Sequence, residues 1–311
     1  MQAYTGNGAY CYANALHMCL LATGNTGLPD PGFLECLTTM PFGISYTKSA
    51  EHVEIYFNAP KIDPVSGLER ALDASGWSYT KWTGTKETTA QSAFTHLQKA
   101  VKSAPVLVGP LDMSLLAYDP VAAQKRGADH FVVVLAIDDN YVRLHDPQGY
   151  PYALLPLATF LEAWRAEEID YVDVPYTFFT NFQPHHPRSR AEAITHVLPA
   201  IKGNILDKPD DADSYAGAEA LHLLASDIQQ ARYPGLAEQL TFFVLPLAAR
   251  RTLDSAFFWQ EAGFSTLATL SQRKAELVGE AQYHIVHASW DRGANLLRRI
   301  AEVESQLSDS F

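Results

Sequence analysis

The sequence predicts an α+β fold, with an N-terminal helix packed on an antiparallel sheet, followed by an all-α domain. Three observations predict it. An apolar helical segment, residues 11–23 (CYANALHMCLLAT), stands near the start and closes at Gly24. Two apolar runs, 130–137 (HFVVVLAI) and 141–146 (YVRLHD), are separated only by Asp138-Asp139-Asn140, a turn signal that makes them an antiparallel pair. Near residue 183 the pattern changes from short β-rich runs mixed with helices to nearly continuous helical periodicity.

The elements follow in order. After the first helix, residues 66–75 and 89–103 carry apolar positions at helical spacing. Pro105-Val106-Leu107-Val108-Gly109 is a short apolar run between turn residues, hence a strand. Residues 130–137 are apolar on both faces, as in a central strand. Residues 150–155 add a further strand, 157–165 a short helix, and 170–182 a last strand whose Pro175 marks an edge or a bulge. Residues 183–190 (QPHHPRSR) are polar, contain two prolines and read as a linker. The expected domains are therefore 1–182, the linker 183–190, and a helical domain 191–311. Within the last, helices are predicted at about 190–202, 215–231, 236–262, 265–288 and 290–307, with Pro246 dividing the third and an acidic loop at 207–213.

Composition bounds what such a chain does. With 47% apolar and 19% charged residues over 311 positions, it can build a core without metal or disulfide staples. No run of about 18 apolar residues appears, so no membrane span is predicted. The first residues lack a basic stretch and a cleavage signature, so no secretory leader is predicted. Three irregularly spaced cysteines, Cys11, Cys19 and Cys36, fit a reducing cytoplasm. A net charge of −12 argues against nucleic acid and anionic membrane as partners, both of which need a basic footprint.

The chemistry centres on Cys11. It follows the glycine-bearing stretch Gly6-Asn7-Gly8-Ala9-Tyr10 and opens a helix, where unpaired N–H groups and the helix dipole favour a thiolate. Cys19 and Cys36 sit among apolar neighbours and read as buried hydrophobes. His130 opens the central strand, where a histidine is exposed enough to titrate and is held by a rigid element. Asp146 closes the next strand in Leu144-His145-Asp146-Pro147-Gln148-Gly149, which is equally a turn sequence. A three-residue loop at 138–140 pairs Asp146 with Val132 and makes it a diagonal neighbour of His130; a two-residue loop puts the two on opposite faces. In the first register Cys11 is the nucleophile, His130 its base and Asp146 the group that orients the imidazole. His17 lies among apolar residues and reads as core, and His185-His186 lacks a second ligand pair, so no metal is predicted.

Four stretches carry a resemblance: Cys11-Tyr12-Ala13-Asn14-Ala15-Leu16, Pro41-Phe42-Gly43, Asp129-His130-Phe131-Val132-Val133-Val134 and His145-Asp146-Pro147-Gln148-Gly149. They are similar to motifs of the butirosin biosynthesis protein H family. The resemblance covers nearly the whole chain and is strongest around the three residues above. It implies a papain-like cysteine-protease fold over the first domain, a helical second domain, and a cysteine acyltransferase whose catalytic residues are Cys11, His130 and Asp146. The named family member moves an aminoacyl group from a carrier protein's phosphopantetheine thioester to an aminoglycoside amine. The resemblance thus implies secondary-metabolite biosynthesis with a phosphopantetheine-thioester donor, an acyl carrier protein partner, a small-molecule amine acceptor and no bound cofactor. The core also resembles the bacteriocin-leader peptidases, which share the Cys, His, Asp order.

Papain-like enzymes place an oxyanion-hole glutamine about six residues before the cysteine. Here that position is Thr5, and the nearby amides are Asn7 and Gln2. Tyr10 and Tyr12 flank the nucleophile and either line a substrate pocket or pack. Arg250-Arg251 and Arg298-Arg299 are candidate docking charges for an acidic carrier protein. Other readings stay open: a peptidase or amidase using the same three residues, an inactive papain-like binding module, an N-terminal nucleophile hydrolase exposing Cys11, and a homodimer through the helical domain.

Overall fold

The computed structural model describes residues 3–6, 9–49, 53–207 and 212–311. Its elements are, in chain order, α1 (Cys11–Leu21), α2 (Pro31–Leu37), β1 (Ser45–Lys48), β2 (Val53–Tyr56), α3 (Pro64–Ser75), β3 (Trp77–Thr83), α4 (Ala90–Val101), β4 (Val106–Asp112), β5 (Asp129–Ile137), β6 (Tyr141–Asp146), β7 (Tyr150–Pro156), α5 (Leu157–Arg165), β8 (Thr177–Pro184), α6 (Arg190–Leu206), β9 (Ser214–Ala216), α7 (Gly217–Gln229), α8 (Leu236–Gln239), α9 (Leu245–Glu261), α10 (Ser265–Val286) and α11 (Trp290–Asp309). This is a mixture of helices and antiparallel sheets with a helical C-terminal region. No helix among the described residues is long and apolar enough to cross a membrane.

The chain divides into two compact units, each made of two separate segments rather than one continuous stretch. The first comprises residues 1–34 and 75–187, the second 35–74 and 188–311.

In the first unit a six-stranded sheet runs in the order β3-β8-β4-β5-β6-β7, every pair antiparallel. One side of it packs Val106, Val108, Val132, Val134, Val142 and Leu144 against Ala93 and Leu97 of α4 and Phe160, Ala163 and Trp164 of α5, all buried. Helix α1 packs on β5, its Tyr12 ring set edge-on to Phe131 at 5.9 Å. Strand β8 is interior, between β3 and β4, and not the expected edge: Pro175 lies before the strand begins, so it removes no ladder donor. Thr89 caps α4 by accepting from Ser92 N–H, which explains where that helix starts.

The second unit is not all-α, contrary to expectation. Residues 45–48, 53–56 and 214–216 form a three-stranded antiparallel sheet, β2-β1-β9, so a segment from the N-terminal half supplies the partners for β9. Helix α7 packs against this sheet, and α9–α10, α10–α11 and α7–α11 pack pairwise. Ser189 and Glu192 close a capping box at the start of α6. Pro246 falls at the start of α9 directly after a π-helical turn at 240–244, so the proline coincides with an irregularity that divides the helical run 236–261. Two ion pairs are buried here: Arg251 with Glu35 at 2.8 Å and Lys274 with Glu304 at 2.6 Å. Arg251 therefore holds this unit together and is not a docking charge; its neighbour Arg250 pairs on the surface with Asp254 at 2.7 Å.

Candidate active site

The hairpin of β5 and β6 sets the geometry. Asp138 Oδ1 accepts from the N–H groups of Asn140 and Tyr141, and Asp138 N–H donates to Tyr141 O at 3.0 Å, so the loop is two residues, Asp139 and Asn140. Near the turn the register is accordingly Ile137 opposite Val142 and Ala136 opposite Arg143. A bulge at Leu135 then shifts it by one, and beyond it Val134 faces Leu144 and Val133 faces His145. The continuation puts Val132 opposite Asp146. The pairing at the site is thus the one that a three-residue loop would produce, reached through a shorter loop and a bulge.

His130 Nε2 lies 2.7 Å from Asp146 Oδ1, with both side chains almost wholly buried. Burial of His130 contradicts the expectation of an exposed strand mouth; the residue is paired with Leu111 of β4 and is 1% exposed. Its Nδ1 has no hydrogen-bond partner within ordinary geometry. The Cys11 thiol lies near enough to the ring to help hold its proton. A loose thiol–imidazole contact is normal for such a pair without a substrate. Burial alone would lower the basicity of His130, but Asp146 and Cys11 outweigh it and raise its pKa to about 10. Burial pushes Asp146 the other way, yet the imidazole, the Gln148 N–H and the Tyr118 hydroxyl hold it below the usual carboxylate range.

Cys11 is the first residue of α1 and is half-buried. The first-turn N–H groups of a helix have no acceptor within the helix, so they point toward whatever approaches the sulfur. The entry turn is built for this. Tyr10 sits in the left-handed region at φ 56°, a strain on the order of 1 kcal/mol for a non-glycine residue. Asn14 holds it there: its buried amide Nδ2 donates to Ala9 O at 2.5 Å and Tyr10 O at 3.0 Å. Asn14 stood inside the first resemblance motif, but its use as a brace for the residues before Cys11 was not read from sequence.

Two further contributions were also missed. The Tyr4 hydroxyl donates to Asp146 O at 2.9 Å and accepts from Gly149 N–H at 2.8 Å, so the segment before the nucleophile is tied to the turn after Asp146. Gly6 lies against the same turn, where a Cβ would fall 2.2 Å from Pro147 O. The Tyr118 hydroxyl donates to Asp146 Oδ2 at 2.8 Å.

The remaining candidates divide. Asn7 and Gln2, the expected oxyanion amides, lie outside the described residues. Tyr10 and Tyr12 are both buried, and Tyr12 packs on Phe131 within the core. His17 is on α1 with Nδ1 donating to Pro29 O at 2.8 Å, a structural role. Cys19 and Cys36 are buried, and burial pushes the Cys19 thiol up.

Comparison with known proteins bears on both units. Residues 211–311 match the family described as YobF C-terminal domain. Over 309 residues the chain is 28% identical to Uncharacterized protein YobF of Bacillus subtilis (strain 168), an alignment that covers 98% of this chain and 96% of that protein. The chain is therefore similar to that protein along both of its units.

Proposed function

We propose that the chain is a papain-like cysteine acyltransferase, similar to the butirosin biosynthesis protein H family, that carries an acyl group on Cys11. One observation carries the reading: a buried imidazole with Asp146 at 2.7 Å on Nε2 and no fixed partner on Nδ1, close to the Cys11 thiol at a helix N-terminus. That is an arrangement for generating a nucleophile, since a buried histidine with a purely structural role has both nitrogens satisfied by fixed partners.

In the proposed reaction His130 Nδ1 takes the Cys11 proton, and Asp146 stabilises the imidazolium. The thiolate attacks the carbonyl carbon of a thioester, and the first-turn N–H groups of α1 face the oxygen that becomes negative. Collapse expels the donor thiolate, which takes the proton from His130, leaving acyl-Cys11. An amine then attacks this second thioester, gives its proton to His130, and releases Cys11 with formation of an amide. The donor is a phosphopantetheine thioester on an acyl carrier protein and the acceptor a small amine, in secondary-metabolite biosynthesis in the cytoplasm. Water in place of the amine makes the same centre a hydrolase.

Intact mass spectrometry after incubation with acyl-pantetheine thioesters tests this. The expected result is an acyl adduct on the wild-type chain, absent from Cys11→Ala and discharged faster by amines than by buffer. Discharge at the same rate with and without amines assigns a hydrolase. No adduct from any thioester, with no iodoacetamide selectivity for Cys11 over Cys19 and Cys36, overturns the reading.

A further inference from the structure

Asp146 receives more donors than the orientation of one imidazole requires. Oδ1 accepts from His130 Nε2 and from Gln148 N–H, each at 2.7 Å, and Oδ2 accepts from the Tyr118 hydroxyl at 2.8 Å. Tyr118 belongs to the loop between β4 and β5, and that loop is closed on the same turn a second time. Lys125 Nζ donates to Asp119 Oδ2 at 2.6 Å and to Gln148 Oε1 at 3.1 Å. Tyr150 donates to Asp119 Oδ1 at 3.3 Å, its ring 5.3 Å from that of Tyr118. The other titratable groups around the pair are Cys11 beyond His130, Tyr4 on the Asp146 carbonyl, and His145 beside Asp146.

We propose that Tyr118 is a positioning residue that sets the basicity of His130 through Asp146. Its consequence for catalysis rests on the acyl-transfer reading, whereas the contact itself does not. A carboxylate that accepts from a phenol on one oxygen has less negative charge to offer the imidazole on the other. The phenol therefore weakens the hold of Asp146 on the imidazolium while it fixes the plane of the carboxylate. Burial and the adjacent Asp146 push the phenol up, so it stays protonated and remains a donor wherever the pair works. The benefit is a proton that His130 can both take and give back. An imidazolium held too tightly would accept the thiol proton and fail to return it to the departing thiolate.

The test is an NMR titration of His130 in full-length protein carrying 13C-labelled histidine, in a Cys11→Ala background so that no thiol titrates with it. Tyr118→Phe removes one donor and is expected to raise the His130 midpoint by about one pH unit. Incorporation of 3-fluorotyrosine at position 118, the same shape with a stronger donor, is expected to lower it. The Tyr150 hydroxyl donates to Asp119 and makes no hydrogen bond to its strand partner Asp146, so Tyr150→Phe is expected to move the midpoint far less than Tyr118→Phe. An unchanged or lowered midpoint in Tyr118→Phe overturns the inference, even if Cys11 carries acyl groups. A raised midpoint upholds it, even if no thioester reacts. Should Tyr118→Phe fail to fold, the fluorotyrosine decides alone: a downward shift upholds the inference, and none overturns it.

Discussion

A buried histidine bonded to a carboxylate links two titrations, and its stability effect has a definite sign. Asp146 is depressed in the fold, so its contribution is present above the ordinary carboxylate pKa, about 4, and is lost as pH falls through the folded value. His130 is raised, so its contribution is full below about 6.5 and is lost as pH climbs toward about 10. The melting-temperature gap between wild type and Asp146→Asn should therefore be widest near pH 5–6 and narrow steadily on the alkaline side, as read by thermal denaturation from about pH 5 to pH 10. At neutral pH, Cys11→Ala should abolish turnover and Asp146→Asn should cut it by about 10³- to 10⁴-fold with the fold intact, because an amide can favour the wrong tautomer and cannot stabilise the imidazolium. Thiol labelling at low reagent excess should fall on Cys11 and spare Cys19 and Cys36, which are buried. Cys11, His130 and Asp146 could be picked out in sequence by position: one of three cysteines opens a helix, and a histidine and an aspartate stand at the ends of adjoining strands. Tyr118 was not legible. It is one of 15 tyrosines, and its hydroxyl meets a carboxylate 28 residues away across a loop with no regular pattern.

The hairpin shows what periodicity can and cannot convey. Alternation identified β5 and β6 but left open whether His130 and Asp146 share a face, since that turned on the loop length, and nothing in HFVVVLAI marks Leu135 as the extra residue that decides it. A bulge arises from how the neighbouring strands twist, and that information is spread over the sheet. Strands β1, β2 and β3 went unread for a related reason: each is short, and their alternation is weaker than the helical signals beside them. The segment before α1 gives a sharper case. Residues 3–6 have no secondary structure, but Tyr4 and Gly6 lock them onto the 146–149 turn. Gly6→Ala must push that backbone apart, since the added carbon meets a carbonyl that cannot rotate away. We expect it to cost about 1–3 kcal/mol in chemical denaturation and to slow labelling of Cys11, while Gly279→Ala, with open space around it and a helical backbone, leaves labelling unchanged.

At the scale of the whole molecule, the unexpected result is that the helical unit is discontinuous. Its members from the N-terminal half are tied in by specific contacts. Tyr46 OH donates to Asp227 Oδ2 at 2.6 Å, Asn204 Nδ2 donates to Thr39 O at 3.0 Å, and Arg251 holds Glu35 and the carbonyl of Phe57. One unit boundary lies at 187–188, but composition cannot show that the earlier stretch 35–74 belongs with the residues beyond it. A chain ended after residue 187 should therefore fail as an independent domain. It would expose Tyr46, Ile55 and Phe57 and strip Glu35 of the guanidinium that neutralises it. Removing one partner of a buried pair costs about 3–5 kcal/mol. The expected outcome is aggregation or dye binding by exposed apolar surface, whereas the same truncation with 35–74 replaced by a short glycine–serine bridge should be soluble. Light scattering and fluorescence of a hydrophobic dye distinguish the two.

The same discontinuity imposes an order of events on the ribosome. Residues 1–34 and 75–187 are all translated before α6 begins, so the sheet bearing His130 and Asp146 can close while the nascent chain is still growing. Residues 35–74 are made early and must wait for the last helices, with β1 lacking its β9 edge until residue 216 has emerged. An unpaired strand beside buried-type side chains is what holdase chaperones bind. Rapid translation of the stretch from 75 to 213 shortens that wait, and slow codons there prolong it.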